Sequence, residues 1–219
     1  MIGGGQLARM MQEEASALGI HLRALIEAAD GSTGQVTPDA PVGAADDQAA
    51  VRAVVAGDGT QGLGGEPAAV LTFEHEHQDS ALLERLQSEG ISVQPTPQAL
   101  MLARDKLAMR RAMGEAGLPQ PAWAEVGGPQ QETAEQMTEA VETFAGEHGW
   151  PVVLKTPRGG YDGHGVLLVR SAESLREGEA AEWIASVALA RAGQSDGQGA
   201  GGGGSLGGAA VTSLLVEQA

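Results

Sequence analysis

The sequence contains no cysteine. That excludes a disulfide framework, a thiolate metal site and a cysteine nucleophile, and it fits a reducing cytoplasm. Aromatic residues make up only 3% of the 219 positions, so the core has to be built from Ala, Val, Leu, Ile and Met. Basic residues are also scarce, 13 against 29 acidic ones. The resulting net charge of −16 repels a polyanion and excludes nucleic-acid binding through bulk charge. No apolar run reaches the ~18 residues of a membrane span. Met1 to Arg9 lacks the basic and then apolar stretch of a signal peptide. The expectation is an acidic cytoplasmic protein with neither nucleic-acid nor membrane partners.

Glycine, by contrast, is abundant, and much of it is concentrated in three places: Gly3 to Gly5, Gly159 to Gly165, and a low-complexity tract from Gly193 to Gly208. The tract reads as a flexible linker or disordered insertion. Around these landmarks the first hundred residues alternate helical and strand-like periods, the pattern of an α/β domain on a parallel sheet. Helices are expected over Gln6–Ala17, Ala49–Val55 and Ser80–Ser88, the first with Leu7, Met10, Met11 and Ala17 on one face and ending at Gly19. Strands are expected over His21–Ile26, Ala68–Phe73 and Ile91–Gln94. Further on come a long helical stretch, Gln98–Ala116, and an acidic, solvated helix, Thr133–Glu147. A hairpin pairs Pro151–Lys155 with Val166–Val169, and a last strand covers Val211–Val216.

The spacing divides the chain into a parallel α/β domain over 1–96, a helical connector over 97–150 and a lid-bearing segment over 151–219. Almost no strand precedes Ile2-Gly3-Gly4-Gly5, so the first strand of the sheet reads as missing. The chain is expected to be a piece of a longer protein.

Three motifs carry chemistry. Gly3-Gly4-Gly5-Gln6-Leu7-Ala8 matches the G-x-G-x-x-G/A turn that brings a phosphate to a helix N-terminus, and Glu27 stands where a ribose-binding acid would. Alone, this supports a dinucleotide-dependent oxidoreductase, although any tight strand-to-helix turn favours glycine. Glu74-His75-Glu76-His77 has metal-binding residue types, but a strand sends the two carboxylates to one side and the two imidazoles to the other. It reads as a polar cluster at the carboxyl end of a strand, where open α/β sheets bind ligands. The third motif, Lys155 through Gly165 (KTPRGGYDGHG), places a lysine at a strand end before a loop with four glycines. That is the chemistry of a phosphate lid, with an ammonium on the phosphate oxygens and backbone N–H groups above them. The lysine precedes the glycines and no Gly-Lys-Ser/Thr follows, so this is neither a Walker A loop nor a kinase loop.

These motifs occur in one order together with Gln94-Pro-Thr-Pro-Gln-Ala-Leu100 and Asp105-Lys106-Leu107. In that combination the chain resembles the N5-carboxyaminoimidazole ribonucleotide synthases of purine biosynthesis, which are ATP-grasp enzymes. The resemblance runs from the first residue to about Arg170 and resumes over Leu214–Gln218. It implies a flavodoxin- or Rossmann-like pre-ATP-grasp domain followed by an incomplete ATP-grasp domain. It also implies ATP-dependent carboxylation of aminoimidazole ribonucleotide with bicarbonate, with Mg²⁺ as the metal and a homodimer as the full-length form.

The resemblance further implies ATP contacts from Lys106, Lys155, Gly160, Tyr161, Asp162, Gly163, His164, Gly165, Val166, Glu217 and Gln218. Substrate contacts are implied for Gln6, Leu7, Glu74 and Tyr161, with Glu74 accepting from the substrate amine. His164 stands where the family usually has arginine, exchanging a permanent charge for a titratable one. The Mg²⁺ ligands and the main catalytic groups are expected beyond Ala219, with no metal ligand in this chain, so the fragment alone is expected to be inactive. Other readings of the same residues are a sibling ATP-grasp ligase of the formate-dependent glycinamide ribonucleotide transformylase or biotin carboxylase type, the oxidoreductase, and a non-catalytic nucleotide-binding module.

Overall fold

The computed structural model describes residues 1–60, 64–76, 78–159, 165–195 and 211–219. They form two compact units, Met1–Met101 and Leu102–Ala219. The 1–96 segment read from the sequence lies in the first unit and the 151–219 segment in the second, while 97–150 contributes to both.

The first unit is organised around short parallel extended segments. Ile2 bridges Leu25 on one side and Phe73 on the other, Ile26 bridges Val42, and Leu71 bridges Val93. Numbered in chain order, these segments lie in space as 3-2-1-4-5, the doubly wound order of the Rossmann type, which sharpens the two-way fold expectation. Met1 and Ile2 hold the central position. Leu25 N–H donates to the Met1 carbonyl at 2.9 Å, Ile2 N–H to Thr72 at 2.8 Å and Glu74 N–H to Ile2 at 2.9 Å. The Met1 ammonium donates to the Arg23 carbonyl at 2.8 Å. Burial, then the Arg23 charge, brings its pKa down to about 6.

Four helices accompany these segments: α1 (Gln6–Leu18), α2 (Gln48–Ala56), α3 (Ser80–Ser88) and α4 (Pro97–Arg104). Asp47 caps α2, accepting from the amides of Ala49 and Ala50, and Asp79 caps α3, accepting from that of Leu82. Gly19, at φ 69°, ends α1 in the left-handed region that glycine adopts without a Cβ penalty. The orientation of α1 reverses the expectation. Ala8 and Ala15 are its buried residues, while Leu7, Met10, Met11 and Leu18 are exposed. The helix leaves a turn so tight that a Cβ on Gly4 would lie 2.6 Å from Ile26 Cγ2. At that approach only alanine fits beneath the helix, and the bulky apolar residues turn outward. The core of this unit comes instead from Ile2, Leu25, Val51, Leu71, Leu82 and their neighbours.

The second unit contains α5 (Lys106–Glu115), β1 (Trp123–Val126), α6 (Ala134–His148), β2 (Val152–Lys155), β3 (Val166–Val169), α7 (Ala172–Arg176), α8 (Glu179–Ser195) and β4 (Leu214–Gln218). Its sheet runs β1-β4-β2-β3 and is antiparallel throughout. The expected β2–β3 hairpin is present, pairing Val152 with Val169 and Lys155 with Val166. Three expectations change. The long helix over 98–116 is two helices, because Asp105 turns its carboxylate onto the amides of Leu107 and Ala108 and caps α5. The helix expected to be solvated, α6, buries Met137, Val141, Phe144 and Ala145 and shows water only its acidic side. The last strand lies at Leu214–Gln218, later than expected.

Residues 193–195 of the glycine-rich tract close α8, and residues 196–210 fall outside the described residues. Val126, Val152, Leu154, Val169, Leu214 and Val216 pack with α6 and α8 residues in one core. Side chains alternate across a strand, so Val153, Lys155, Leu215 and Glu217 project from the opposite face of the sheet. That face carries the candidate site.

Candidate functional site

In the first unit the structure brings Gln6, Leu7 and Glu74 together. The Gly5 N–H donates to Glu74 Oε2 at 2.6 Å and the Leu7 N–H to Oε1 at 3.0 Å. Gly5, the residue before α1, offers no capping side chain, so Glu74 caps the helix from the end of a neighbouring extended segment. The glycines are needed for this: a Cβ on Gly5 would lie 2.4 Å from Glu74 Oε1, and one on Gly3 2.9 Å from Glu74 Cβ. Gln6 Oε1 accepts from Ser32 at 3.1 Å, and Thr33 Oγ1 donates to the Gly5 carbonyl at 2.8 Å. The dinucleotide reading of this turn is therefore corrected, since a carboxylate already takes the helix N-terminus that a pyrophosphate would need. Each Glu74 oxygen still has acceptor capacity for another donor. His77 lies outside the described residues.

In the second unit Lys106, Lys155 and Glu217 converge, and Arg110 joins them. Glu217 is 3% exposed. Its Oε2 accepts from Arg110 Nε at 3.0 Å and Nη2 at 2.5 Å, while Oε1 is paired with the Lys155 ammonium. Two cations thus share one buried carboxylate. Burial, then the charges of Arg110 and Lys106, push the Lys155 pKa below the ordinary lysine value.

Lys106 is placed by the start of α5. Its backbone N–H donates to the Pro157 carbonyl and its ammonium to the Gly159 carbonyl, both at 2.9 Å. Arg158 Nε donates to Asp105 Oδ2 at 2.9 Å. The strand-end loop that begins at Lys155 is in this way stitched to the helix carrying Lys106 and Arg110. Its two limbs meet where Thr156 N–H donates to the Gly165 carbonyl at 3.0 Å.

Val166 opens β3 and is exposed, as is Gln218, whose N–H donates to the Ala122 carbonyl at 3.0 Å. Gly160, Tyr161, Asp162, Gly163 and His164 fall outside the described residues. Among the described residues no three His, Asp or Glu side chains form a metal-binding group. Arg110 had no sequence signal: it lies in no motif, and its partner is 107 positions away. Asp105 sat within the recognised Asp-Lys-Leu motif, but its capping role appears only once α5 is seen to start there.

Comparison with known proteins gives the class first. Residues 1–104 match the ribonucleotide synthetase preATP-grasp domain, and this domain precedes the start of an ATP-grasp fold. Over 177 residues, 81% of this chain, the sequence is 42% identical to the N5-carboxyaminoimidazole ribonucleotide synthase of Mycobacterium tuberculosis, and it spans 37% of that relative. The crystal structure of an N5-carboxyaminoimidazole ribonucleotide synthetase in complex with ADP superposes with a TM-score of 0.69 at 26% identity, covering 99% of this chain and 45% of that one. The enzyme from Thermus thermophilus superposes at 0.62 with 27% identity, over 99% and 46%. The chain is a homologue of the N5-carboxyaminoimidazole ribonucleotide synthases and spans about a third of the length of the curated relatives it matches.

Proposed function

We propose that the protein carrying this chain is an ATP-grasp carbon–nitrogen ligase. It carboxylates the exocyclic amine of 5-aminoimidazole ribonucleotide with bicarbonate, giving N5-carboxyaminoimidazole ribonucleotide, ADP and phosphate in the cytoplasm. The observation that carries this reading is the pair of cations, Lys155 and Arg110, sharing the single carboxylate of Glu217 beside Lys106, in a chain whose net charge is −16. Positive charge is concentrated there, at the foot of a glycine-rich loop, where a triphosphate would balance it.

In this reading bicarbonate takes the γ-phosphoryl group of ATP, and the carboxyphosphate so formed passes its carboxyl group to the amine. The chain supplies binding and orientation. Lys106 and Lys155 hold phosphate oxygens, the loop over Gly160–Val166 covers them, and Glu217 and Gln218 meet the adenine side. Gln6, Leu7 and Glu74 contact the ribonucleotide. The two helix amides on Glu74 fix its carboxylate, and its remaining lone pairs accept from the substrate amine. Mg²⁺ would be held by residues outside those described and would supply neutralising charge to the phosphates. The division at residues 96 and 150 corresponds, in this reading, to the pre-ATP-grasp domain, the connector and the lid-bearing part.

Joining residues 1–219 to the remaining C-terminal portion of the Mycobacterium tuberculosis relative gives the test. The hybrid is expected to release ADP only when aminoimidazole ribonucleotide and bicarbonate are both present, and Lys155→Met is expected to lower kcat/KM at least ~100-fold. ADP release that depends on formate and glycinamide ribonucleotide instead would reassign the substrate class.

A further inference from the structure

A lysine charge shared with a buried carboxylate is less available to a phosphate, and the structure pairs Lys155 with Glu217 Oε1. Arg110 resolves this. Its fork takes the other oxygen of the same carboxylate through two N–H groups, and its side chain, 12% exposed, is nearly as enclosed as that of Glu217 at 4%. The Lys155 side chain is 24% exposed, making it the more accessible of the two cations.

We propose that Arg110 is a positioning residue that retains Glu217 when Lys155 leaves it for an anionic ligand. Lys155 thereby works as an exchangeable cation, moving between Glu217 in the empty site and a nucleotide phosphate in the filled one. The physical reason is the cost of stranding a charge. A carboxylate buried to this degree and left without a cation is strongly disfavoured, so without Arg110 the departure of Lys155 is opposed. With Arg110 in place the carboxylate keeps a cation, because the two N–H groups on Oε2 do not depend on lysine. Arginine suits the retaining role because it is planar and permanently charged, whereas lysine, a compact ammonium on a flexible stem, suits the moving one.

The proposal rests on the nucleotide reading of the site, and two readouts separate their failures. The first is ADP affinity of the 219-residue chain by calorimetry. Arg110→Met is expected to weaken ADP at least ~10-fold, because Glu217 then depends on Lys155 alone. Arg110→Lys, which keeps the charge but loses the fork, is expected to fall between. Adding Glu217→Gln to Arg110→Met is expected to recover part of the loss, since no carboxylate remains to hold Lys155. A merely structural Arg110 would show no such recovery.

The second readout is the NMR titration of the Lys155 side chain in the absence of nucleotide. Arg110→Met is expected to raise its pKa, and Glu217→Gln to lower it. An Arg110→Met chain that is folded by circular dichroism and binds ADP like the parent overturns the exchange, as does a Lys155 titration that ignores both substitutions. A parent chain that binds no ADP, but whose Lys155 titration responds as described, overturns the nucleotide reading and with it the exchange, leaving only the coupling of Lys155 to Arg110 and Glu217.

Discussion

Replacing Glu217 with leucine is expected to destabilise the second unit by about 3 kcal/mol, read as a shift of its urea midpoint. Leucine is similar in size and could pack beside Leu215, so loss of volume is not the cause. The cause is that Arg110 and Lys155 would face each other with no carboxylate between them, on a sheet face where Glu217 is 3% exposed. Losses of 3–5 kcal/mol are typical when one partner of a buried pair is removed, and the lower end applies because Lys155 keeps about a quarter of its side-chain exposure. Removing the whole cluster, with Arg110→Met, Lys155→Met and Glu217→Leu together, is expected to recover most of that stability. No charge would then need a partner. If the triple variant were no more stable than Glu217→Leu, the loss would come from packing and the electrostatic explanation would fail.

In the first unit, Gly4→Ala is expected to cost about 2 kcal/mol, within the usual range for overpacking a tight contact. The added Cβ would lie 2.6 Å from Ile26 Cγ2 and 3.1 Å from its Cα, and backbone cannot swing aside as a side-chain tip can. Gly5→Ala is expected to cost less in stability, because its obstacle is the far end of the Glu74 side chain. That substitution should instead push Glu74 off the amides of Gly5 and Leu7 and free the start of α1. Thermal unfolding of the two variants separates the effects. Equal stability of Gly4→Ala and the parent would show that the turn is not packed as described.

These outcomes bear on what was legible beforehand. Periodicity and turn residues were sufficient for α3 and for the β2–β3 hairpin, because Asp79 caps the first and the apolar strands flanking the glycine loop define the second. The buried side of α1 is not legible from hydrophobicity, because the helix buries Ala8 and Ala15 and carries Leu7, Met10 and Met11 outward. The break at Asp105 was hidden within helix-forming neighbours, since a capping aspartate and a mid-helix aspartate look alike until the backbone is seen. Lys155 is marked in the sequence by its place at a strand end before the glycine-rich loop, and Lys106 by the resemblance alone. Arg110, which shares the Glu217 carboxylate with Lys155, has no such mark, because an ion pair spanning 107 positions leaves no local pattern. The glycine fingerprint was the most instructive case. Its glycines are required, but the anion they admit is this chain's own Glu74.

The central claim is that the cluster of Lys106, Arg110, Lys155 and Glu217 receives a nucleotide phosphate. Titration of the ¹⁵N-labelled 219-residue chain with ADP addresses it directly. Saturable shifts are expected at the amides around Lys106, Lys155 and Glu217 and at the Lys155 side chain, and Lys155→Met should abolish them. Shifts confined to the glycine turn at Gly3–Gly5, or a response unchanged by Lys155→Met, would contradict it.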